Sequence, residues 1–218
     1  MSADVSRETS LTEVEREPAA AATLFGDHIG QARAYVANLA AHGEELGLIG
    51  PLELPRLWTR HALNCALVGD FLRPGRVADV GSGAGLPGIV LAIQRPDVDF
   101  VLIEPMERRV AWLEQQANEL ALHNVTVVRA RAEESKLQGV FDQVTARAVS
   151  AMRTLVPVVA PLCRDAGELV LMKGASIEAE LAAADKVLRK YRVTDVATHV
   201  VGAGLVGEET RVVTARVR

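Results

Sequence analysis

DVGSGAGLPG, at residues 79–88, decides the fold class of this chain. The stretch follows the apolar run at 77–80 and precedes a helical pattern at 86–94, so its glycines lie at a strand-to-helix turn. Glycine permits a tight turn and lets the backbone approach a ligand closely. The free N–H groups of the following helix add a partial positive charge. Although a glycine loop alone is compatible with a plain tight turn, this context predicts a nucleotide-binding loop on a Rossmann-like sheet.

Two acids near the loop indicate which nucleotide it holds. The carboxylate of Asp79 would repel the pyrophosphate of a dinucleotide and would suit the ammonium and sulfonium groups of S-adenosylmethionine. Glu104 ends the next predicted strand, where an acid hydrogen-bonds ribose hydroxyls, although NAD sites and solvated strand ends carry acids there too. The two acids together favour S-adenosylmethionine as the cofactor.

Short apolar strands alternate with helical stretches from residue 76 onward. Such strands indicate a mostly parallel sheet that is covered on both faces. The last two strands have glycines and no helix between them, which predicts a terminal antiparallel hairpin. The predicted strands are 77–80, 100–103, 125–129, 141–145, 169–172, 193–201 and 210–217, and the predicted helices are 86–94, 107–122, 151–163 and 177–191. This α/β layout, a doubly wound sheet ending in a hairpin, is that of class I methyltransferases.

The first 72 residues form a different region. Residues 1–18 are polar and acidic, which predicts a disordered tail. An apolar stripe from Phe25 to Leu39 and a second helix starting near Pro55 predict an N-terminal helical extension over 19–72. Arg56, Arg60 and Asn64, spaced four apart, are predicted to share its polar face. The methyltransferase domain is then predicted over 73–218.

Composition narrows the function classes. The 218 residues are 49% hydrophobic and 24% charged, which is ordinary for a globular protein. The sequence contains no apolar run long enough for a membrane span and no signal-peptide core, which predicts a cytoplasmic protein without a membrane partner. The isolated Cys65 and Cys163 predict no metal site. The net charge of -4 argues against a general nucleic-acid coat but permits a local basic face.

Further candidates follow the later strands, where the binding crevice of such sheets opens. Ala132 and Glu133 are predicted to read an adenine edge, although Glu133 also suits a solvated turn. Arg147 is predicted to bind the methionine carboxylate or a substrate phosphate, and Lys173 to position the substrate. A surface salt bridge or an ordinary strand end is the alternative for each. The predicted basic rim comprises Arg56, Arg60, Arg108, Arg109, Arg147, Arg153 and Lys173.

Two catalytic motifs that the sequence lacks narrow the class of acceptor atom. Amino-group methylation uses an acid or amide followed by Pro-Pro-aromatic after the fourth strand, where this chain has Ala-Arg-Ala at 146–148. Cytosine-carbon methylation needs a nucleophilic cysteine, and Cys163 does not match that pattern and is expected to lie in a helix. The 7-nitrogen of guanine has an in-plane lone pair and no proton to remove, so it needs positioning and no general base.

Taken together, these motifs resemble the RsmG (GidB) family of 16S rRNA guanine-7-methyltransferases. The resemblance rests on DVGSGAGLPG at 79–88, Glu104, RAE at 131–133, RAV at 147–149 and KG at 173–174. It implies S-adenosylmethionine as donor, a guanine in the decoding-region loop of 16S rRNA as acceptor, and the small ribosomal subunit or its precursor as partner. With Asp79 and Gly83, the implied cofactor contacts are Gly81, Leu86, Glu104, Ala132, Glu133 and Arg147.

The sequence departs from that family at two motifs. The family's N-terminal Trp-Asn-Lys…Asn-Leu-Thr stretch is missing from the matching region at 41–51. The family's His-x-x-Asp-Ser reads His61-Ala62-Leu63-Asn64-Cys65 here, so the histidine is kept and the acid is lost. His61 is therefore a candidate for positioning the substrate or for supporting the cleft. Three alternatives stay open: a small-molecule methyltransferase, which would add a lid, a non-catalytic interaction module, which would have damaged cofactor residues, and a nicotinamide oxidoreductase, which would need a proton-transfer residue.

Overall fold

A computed structural model describes residues 13–206 and 209–218. Its strands are β1 (Gly75–Val80), β2 (Val98–Ile103), β3 (Val125–Val128), β4 (Phe141–Arg147), β5 (Cys163–Lys173), β6 (Val193–Val201) and β7 (Thr210–Val217). They form one sheet in the order β3-β2-β1-β4-β5-β7-β6. The first five strands pair in parallel, whereas β7 runs antiparallel to both β5 and β6. The predicted parallel sheet with a terminal hairpin is confirmed.

Helices cover both faces of this sheet. They are α1 (Ala20–Phe25), α2 (Ile29–His42), α3 (Asn64–Ala66), α4 (Gly88–Gln94), α5 (Glu107–Glu119), α6 (Met152–Val159) and α7 (Ile177–Lys190). Successive strand residues point to opposite faces, so Val77 and Phe100 lie in the core under α1 to α5, and Ala78 and Val101 lie in the core under α6 and α7. None of the described helices is long and apolar enough to cross a membrane.

Two sequence expectations about the later elements are wrong. The predicted helix over 151–163 ends early: α6 stops at Val159, and a short 3-10 helix that contains Pro161, Ala160–Leu162, follows it. Cys163 therefore begins β5, where it is buried, rather than lying in a helix. The strand also begins before the predicted 169–172, because the exposed polar residues at 164–166 conceal its start.

The N-terminal extension shares the core of the sheet. Ala32, Tyr35, Val36 and Leu39 of α2 are buried in the same cluster as the β2 residue Phe100. Because no gap in the core separates them, the domain boundary predicted near residue 72 stays a prediction from sequence.

A π-helix over Leu57–Leu63 leads into α3. Asn64 directly follows this wider turn and is buried, with 8% of its surface exposed. Arg60 is exposed and Asn64 is buried, so the polar face predicted for Arg56, Arg60 and Asn64 is not uniformly open to solvent.

The predicted disordered tail needs a partial correction. Residues 1–12 lie outside the described residues. Within 13–18, Glu15 Oε2 accepts hydrogen bonds from the backbone N–H groups of Trp58 (2.9 Å) and Thr59 (3.0 Å), and Glu17 pairs with Arg33 at 2.6 Å. Glu15 thus satisfies donors at the start of the π-helix, so the disordered segment does not extend to residue 18.

Candidate active site

The glycine loop connects β1 to α4. Gly81, Gly83 and Gly85 have φ values of 70°, 57° and 99°, in the left-handed region that glycine adopts readily. A Cβ at Gly85 would lie 2.5 Å from Ile89 Cγ1, and one at Gly88 would lie 2.3 Å from Leu102 Cδ2. The loop therefore packs its backbone directly onto α4 and β2.

Two buried aromatic side chains hold this loop from outside. Tyr35 Oη and Trp112 Nε1 both donate to the carbonyl oxygen of Ala84, at 3.0 and 2.8 Å. Burial raises the pKa of Tyr35 well above its usual value, so its hydroxyl remains a donor. Sequence reasoning missed both residues, although a buried tyrosine or tryptophan generally requires a polar partner.

Asp79 lies beneath the loop. Its side chain is fully buried, Oδ2 accepts the Gly88 N–H at 3.0 Å, and Oδ1 has no hydrogen-bond partner in the described part of the chain. Burial raises the pKa of Asp79 to about 7 and the nearby Glu104 charge acts in the same direction, whereas the Ser82 hydroxyl and the Gly88 N–H act against them. The prediction that this carboxylate faces a bound cation stays a prediction, and its contact within the protein is to the start of α4.

Glu104 joins the loop to the next strand end. It is 2% exposed, its Oε2 accepts the Gly83 N–H and its Oε1 accepts the Met106 N–H, both at 3.0 Å. Each carboxylate oxygen keeps a further lone pair for a ligand hydroxyl. Farther along the same edge, a 3-10 turn begins at Ala132, which is buried, and exposes Glu133.

Two neighbouring cavities open at the carboxyl ends of the strands. The loop cavity, about 320 Å³, is lined by Leu48, Ile49, Gly50, Glu53, His61, Gly81, Gly83, Ala84, Leu86, Arg109, Arg147 and Ala148. The rim cleft, about 690 Å³, is lined by Arg60, Asn64, Arg147, Ala148, Val149, Ser150, Met172, Lys173, Gly174, Ala175, Glu180, Glu209, Thr210 and Arg211. Arg147 and Ala148 line both, so they form a shared wall.

Arg147 is held at that wall by the N-terminal extension. Its Nη1 donates to Cys65 Sγ at 3.1 Å, and its Nη2 donates to His61 Nδ1. Because an arginine only donates, His61 Nδ1 is the acceptor and Nε2 carries the proton that it donates to Glu53 Oε2, at 2.7 Å. His61 therefore orients Arg147 through a fixed tautomer.

His61 is neutral in this arrangement. Burial lowers its pKa to about 4, and the Arg147 charge acts in the same direction, while Glu53 opposes both. Glu53 itself also pairs with Arg56 at 2.7 Å and with Arg60 at 3.6 Å. A chain of polar contacts thus runs from the surface arginines of the extension to the shared wall.

Lys173 is engaged within the protein. Its side chain is 8% exposed, and Nζ lies 2.7 Å from Glu180 Oε2 and 2.8 Å from the Ser150 carbonyl oxygen. Ser150 belongs to the connection after β4, in which Ala148 has a φ of 54°. Lys173 borders the rim cleft as predicted, and its ammonium fixes the position of that connection.

Not all of the predicted basic rim lies together. Arg60, Arg147 and Lys173 line the rim cleft, whereas Arg109 lines the loop cavity, where its buried Nε has no hydrogen-bond partner among the residues that the structure describes. Arg211 joins the rim cleft from β7, and no sequence pattern pointed to it. In the part of the chain that the structure describes, no cluster of three or more His, Cys, Asp or Glu residues could hold a metal ion.

Sequence comparison identifies similar proteins over nearly the whole chain. The family model "GidB: rRNA small subunit methyltransferase G" matches residues 28–210. A ribosomal RNA small subunit methyltransferase G of Leifsonia xyli subsp. xyli is 64% identical over 205 residues, covering 94% of this chain and 98% of that protein. One from Pseudarthrobacter chlorophenolicus is 50% identical over 195 residues, covering 89% and 90%.

Solved structures share the fold. A predicted O-methyltransferase from Agrobacterium tumefaciens aligns with a TM-score of 0.57 at 19% identity, covering 72% of this chain and 80% of that one. A Burkholderia thailandensis 1,6-didemethyltoxoflavin-N1-methyltransferase, solved with S-adenosylhomocysteine, aligns with a TM-score of 0.55 at 18% identity, covering 85% and 88%. At these identities the likeness concerns the fold alone, which is that of class I methyltransferases.

Proposed function

The chain belongs to the ribosomal RNA small subunit methyltransferase G family, and we propose that it methylates the 7-nitrogen of one guanine in the decoding-region loop of 16S rRNA. As a member of that family it is an S-adenosylmethionine-dependent methyltransferase that acts on ribosomal RNA. This membership decides against a nicotinamide oxidoreductase, a small-molecule methyltransferase and a non-catalytic module. The guanine atom and its place in the RNA are the parts that we propose.

The observation that carries the proposal is the wall shared by the two cavities. Methyl transfer needs the acceptor lone pair, the methyl carbon and the sulfur in line. The site that binds the donor must therefore adjoin the site that binds the acceptor. Arg147 and Ala148 line both the loop cavity and the rim cleft. A donor in the first and a base in the second would meet there.

The residues present fit S-adenosylmethionine. Gly81 and Gly83 bring backbone without side chains to the loop cavity, Glu104 has lone pairs for ribose hydroxyls, and the buried Asp79 Oδ1 is an acceptor without a partner among the described residues. When bound, the cofactor supplies a methyl group on a positively charged sulfur. We assign the loop contacts to Gly81, Gly83 and Leu86, the adenine edge to Ala132 and Glu133, and the methionine carboxylate to Arg147.

The rim cleft suits an acceptor that needs no proton removed. Glu180 would be a poor general base, because, although burial acts against it, the hydrogen bond and charge of Lys173 lower its pKa below the usual value. Its Oε2 is also occupied by Lys173 and by the Met152 N–H. The guanine 7-nitrogen carries a lone pair and no proton, so positioning alone suffices.

The proposed partner is 16S rRNA within the small ribosomal subunit or its precursor. The rim cleft is open, and four of the side chains lining it, Arg60, Arg147, Lys173 and Arg211, are basic. Basic groups at a rim position an RNA backbone without reading its sequence. An enzyme with this substrate works in the cytoplasm, where ribosomal subunits are assembled.

The test is transfer of labelled methyl from S-adenosylmethionine to small subunits isolated from cells that lack this protein. We expect label in one RNA fragment, recovered as 7-methylguanosine. Naked 16S rRNA assayed in parallel distinguishes an RNA substrate from an assembled one. Label in another nucleoside, or no transfer while the cofactor still binds, would contradict the proposal.

A further inference from the structure

The loop cavity holds more positive charge than its acids balance. Two guanidinium groups line it, those of Arg109 and Arg147, and Glu53 is the one acid that lines it among the residues that the structure describes. Glu53 is occupied on the side of the extension, because Oε1 lies 2.7 Å from Arg56 Nη2 and Oε2 lies 3.6 Å from Arg60 Nε. The charge of Glu53 is therefore shared with other arginines, which leaves the cavity with an excess of positive charge.

Arg147 has neutral hydrogen-bond partners. Its terminal nitrogens donate to Cys65 Sγ and to His61 Nδ1. Burial raises the pKa of Cys65, although the Arg147 charge opposes it, and burial lowers the pKa of His61 to about 4, so both side chains are uncharged at neutral pH. Burial also raises the pKa of the nearby Asp79 to about 7, so this acid balances Arg147 only in part. Each terminal nitrogen of Arg147 keeps a second hydrogen for a ligand.

Arg109 is the second guanidinium in the loop cavity. It lies in the first turn of α5 and is partly exposed, and its side chain forms no hydrogen bond or ion pair with the described residues. Its Nε is closed to solvent, so a ligand would bind to the two terminal nitrogens instead. A charged donor without a partner costs free energy when it is partly removed from water. These features indicate an anionic ligand beside Arg109.

We infer that Arg109 is a second anchor for the methionine carboxylate of S-adenosylmethionine, alongside Arg147. This inference rests on the proposed function and adds a residue that orients its donor. The carboxylate is the one anionic group of this cofactor, whose ammonium and sulfonium groups are positive. Its two oxygens can accept hydrogen bonds from two guanidinium groups at once. The two arginines would therefore attract the carboxylate and repel the cationic groups, which fixes the direction in which the cofactor lies.

The surroundings of Arg109 favour the cofactor over an RNA phosphate. Arg109 lines the cavity that Gly81 and Gly83 of the glycine loop also line, and it does not line the rim cleft. The neighbouring Arg108 lines neither cavity, and a Cβ at Gly47 would lie 3.0 Å from its Nη2. Two consecutive arginines thus have different surroundings, and the one that reaches the loop cavity is Arg109.

The test removes one group from the cofactor and one from the protein. Calorimetry compares the wild type, Arg109→Leu, Arg109→Lys and the matched control Arg108→Leu. Each protein is titrated with S-adenosylmethionine, with S-adenosylhomocysteine and with decarboxylated S-adenosylmethionine. The second ligand keeps the carboxylate and loses the charge on sulfur, whereas the third loses the carboxylate and keeps both positive charges. The three ligands therefore separate the effect of the carboxylate from that of the sulfonium.

We expect Arg109→Leu to bind S-adenosylmethionine and S-adenosylhomocysteine about tenfold or more weakly than the wild type does, the usual effect of one lost charge-assisted hydrogen bond. Its affinity for the decarboxylated ligand should not fall. The preference for the carboxylate should thus shrink by the same factor, and what is left of it belongs to Arg147. Arg109→Lys keeps the charge without the fork and should fall between the two, while Arg108→Leu should bind all three ligands as the wild type does.

Three results would overturn the inference. One is a wild type that binds S-adenosylmethionine and its decarboxylated form equally well, which needs no variant to fold. Another is an Arg109→Leu or Arg109→Lys protein that loses the same factor on all three ligands, because Arg109 would then act on structure alone. The third is unchanged cofactor affinity in Arg109→Leu together with a raised KM for small subunits, which would assign Arg109 to an RNA phosphate. A wild type that binds none of the three ligands would instead refute the proposed function.

Discussion

The two sides of the shared wall are built in opposite ways. On the side of the loop cavity, one contiguous stretch forms the binding loop, and its polar groups are mostly bound within the protein. The Ala84 carbonyl accepts two aromatic donors, and both oxygens of Glu104 accept backbone N–H groups. On the side of the rim cleft, distant segments form the lining, and Asn64 Oδ1, Thr210 Oγ1 and the Arg211 guanidinium have no partner among the described residues.

This difference indicates what each side binds. A loop whose hydrogen bonds are already formed is preorganised for a small cofactor of fixed shape, which costs little ordering on binding. An open cleft with unfilled polar groups is completed by a large partner that brings its own donors and phosphates. The following substitutions test that contrast.

The largest expected effect is on the free energy of unfolding, when one glycine on each side of the shared wall is replaced by alanine. Gly85→Ala would force a side chain into a φ of 99° and against Ile89, so we expect a loss of roughly 2–4 kcal/mol in the free energy of unfolding. Gly174→Ala in the rim cleft meets no heavy atom within 4 Å and should change it by less than about 0.5 kcal/mol. Urea denaturation measures both, and equal losses would mean that the two sides are equally rigid.

The next effect concerns cofactor affinity. Glu104→Ala removes the acceptor for Gly83 N–H and for the ribose, so we expect roughly 1.5–3 kcal/mol weaker binding, about 10- to 150-fold in affinity. Glu107→Ala is the control, because that side chain is 77% exposed and, within the described residues, forms an ion pair with Arg129 alone. Calorimetry with S-adenosylmethionine distinguishes them, and unchanged affinity in Glu104→Ala would remove this acid from the site.

The smallest effect is expected from Lys173→Ala. Loss of its ion pair with Glu180 should cost about 1 kcal/mol of stability, while methylation slows by about tenfold because the connection at Ser150 shifts. Cofactor affinity should change less than the rate. Equal losses in rate and affinity would argue against a role on the acceptor side.

The stability difference caused by Lys173→Ala should also depend on pH. Although burial opposes it, Lys173 lowers the pKa of Glu180 below 4.5 in the folded protein. A lowered carboxyl pKa stabilises the fold above the unfolded value of about 4.5, and this contribution is lost as the pH falls through the lower folded value. In thermal melts the wild type and the variant should therefore differ at about pH 7 and converge as the pH falls below 4.5 and through the lowered folded value.

The sequence predicts the side of the loop cavity well, because consecutive residues specify its structure. Ten consecutive residues specify the turn, and the strands at 193–201 and 210–217 were predicted at their observed bounds. Regular alternation and glycine-rich connections carry that signal without reference to distant residues.

The sequence predicts the side of the rim cleft only in part, because residues that are distant in sequence line it together. Asn64 and Arg211 are far apart in sequence, and both line the cleft only because the fold brings α3 and β7 together. Arg109 was assigned to the RNA-binding rim, since spacing alone does not tell which side of α5 reaches the loop cavity. In the sequence, Tyr35 and Trp112 have the pattern of core residues. Their hydrogen bonds to the Ala84 carbonyl oxygen depend on tertiary packing, which the sequence pattern does not show.

The Ala84 carbonyl has a consequence for protein engineering. Its two donors come from α2 of the extension and from α5 of the sheet region, so a single peptide group joins segments on both sides of residue 72. A chimera that grafted residues 73–218 onto a foreign extension would lose the Tyr35 contact there, and the His61 contact to Arg147 as well. Modular exchange is therefore expected to succeed only when both regions are transplanted as one unit.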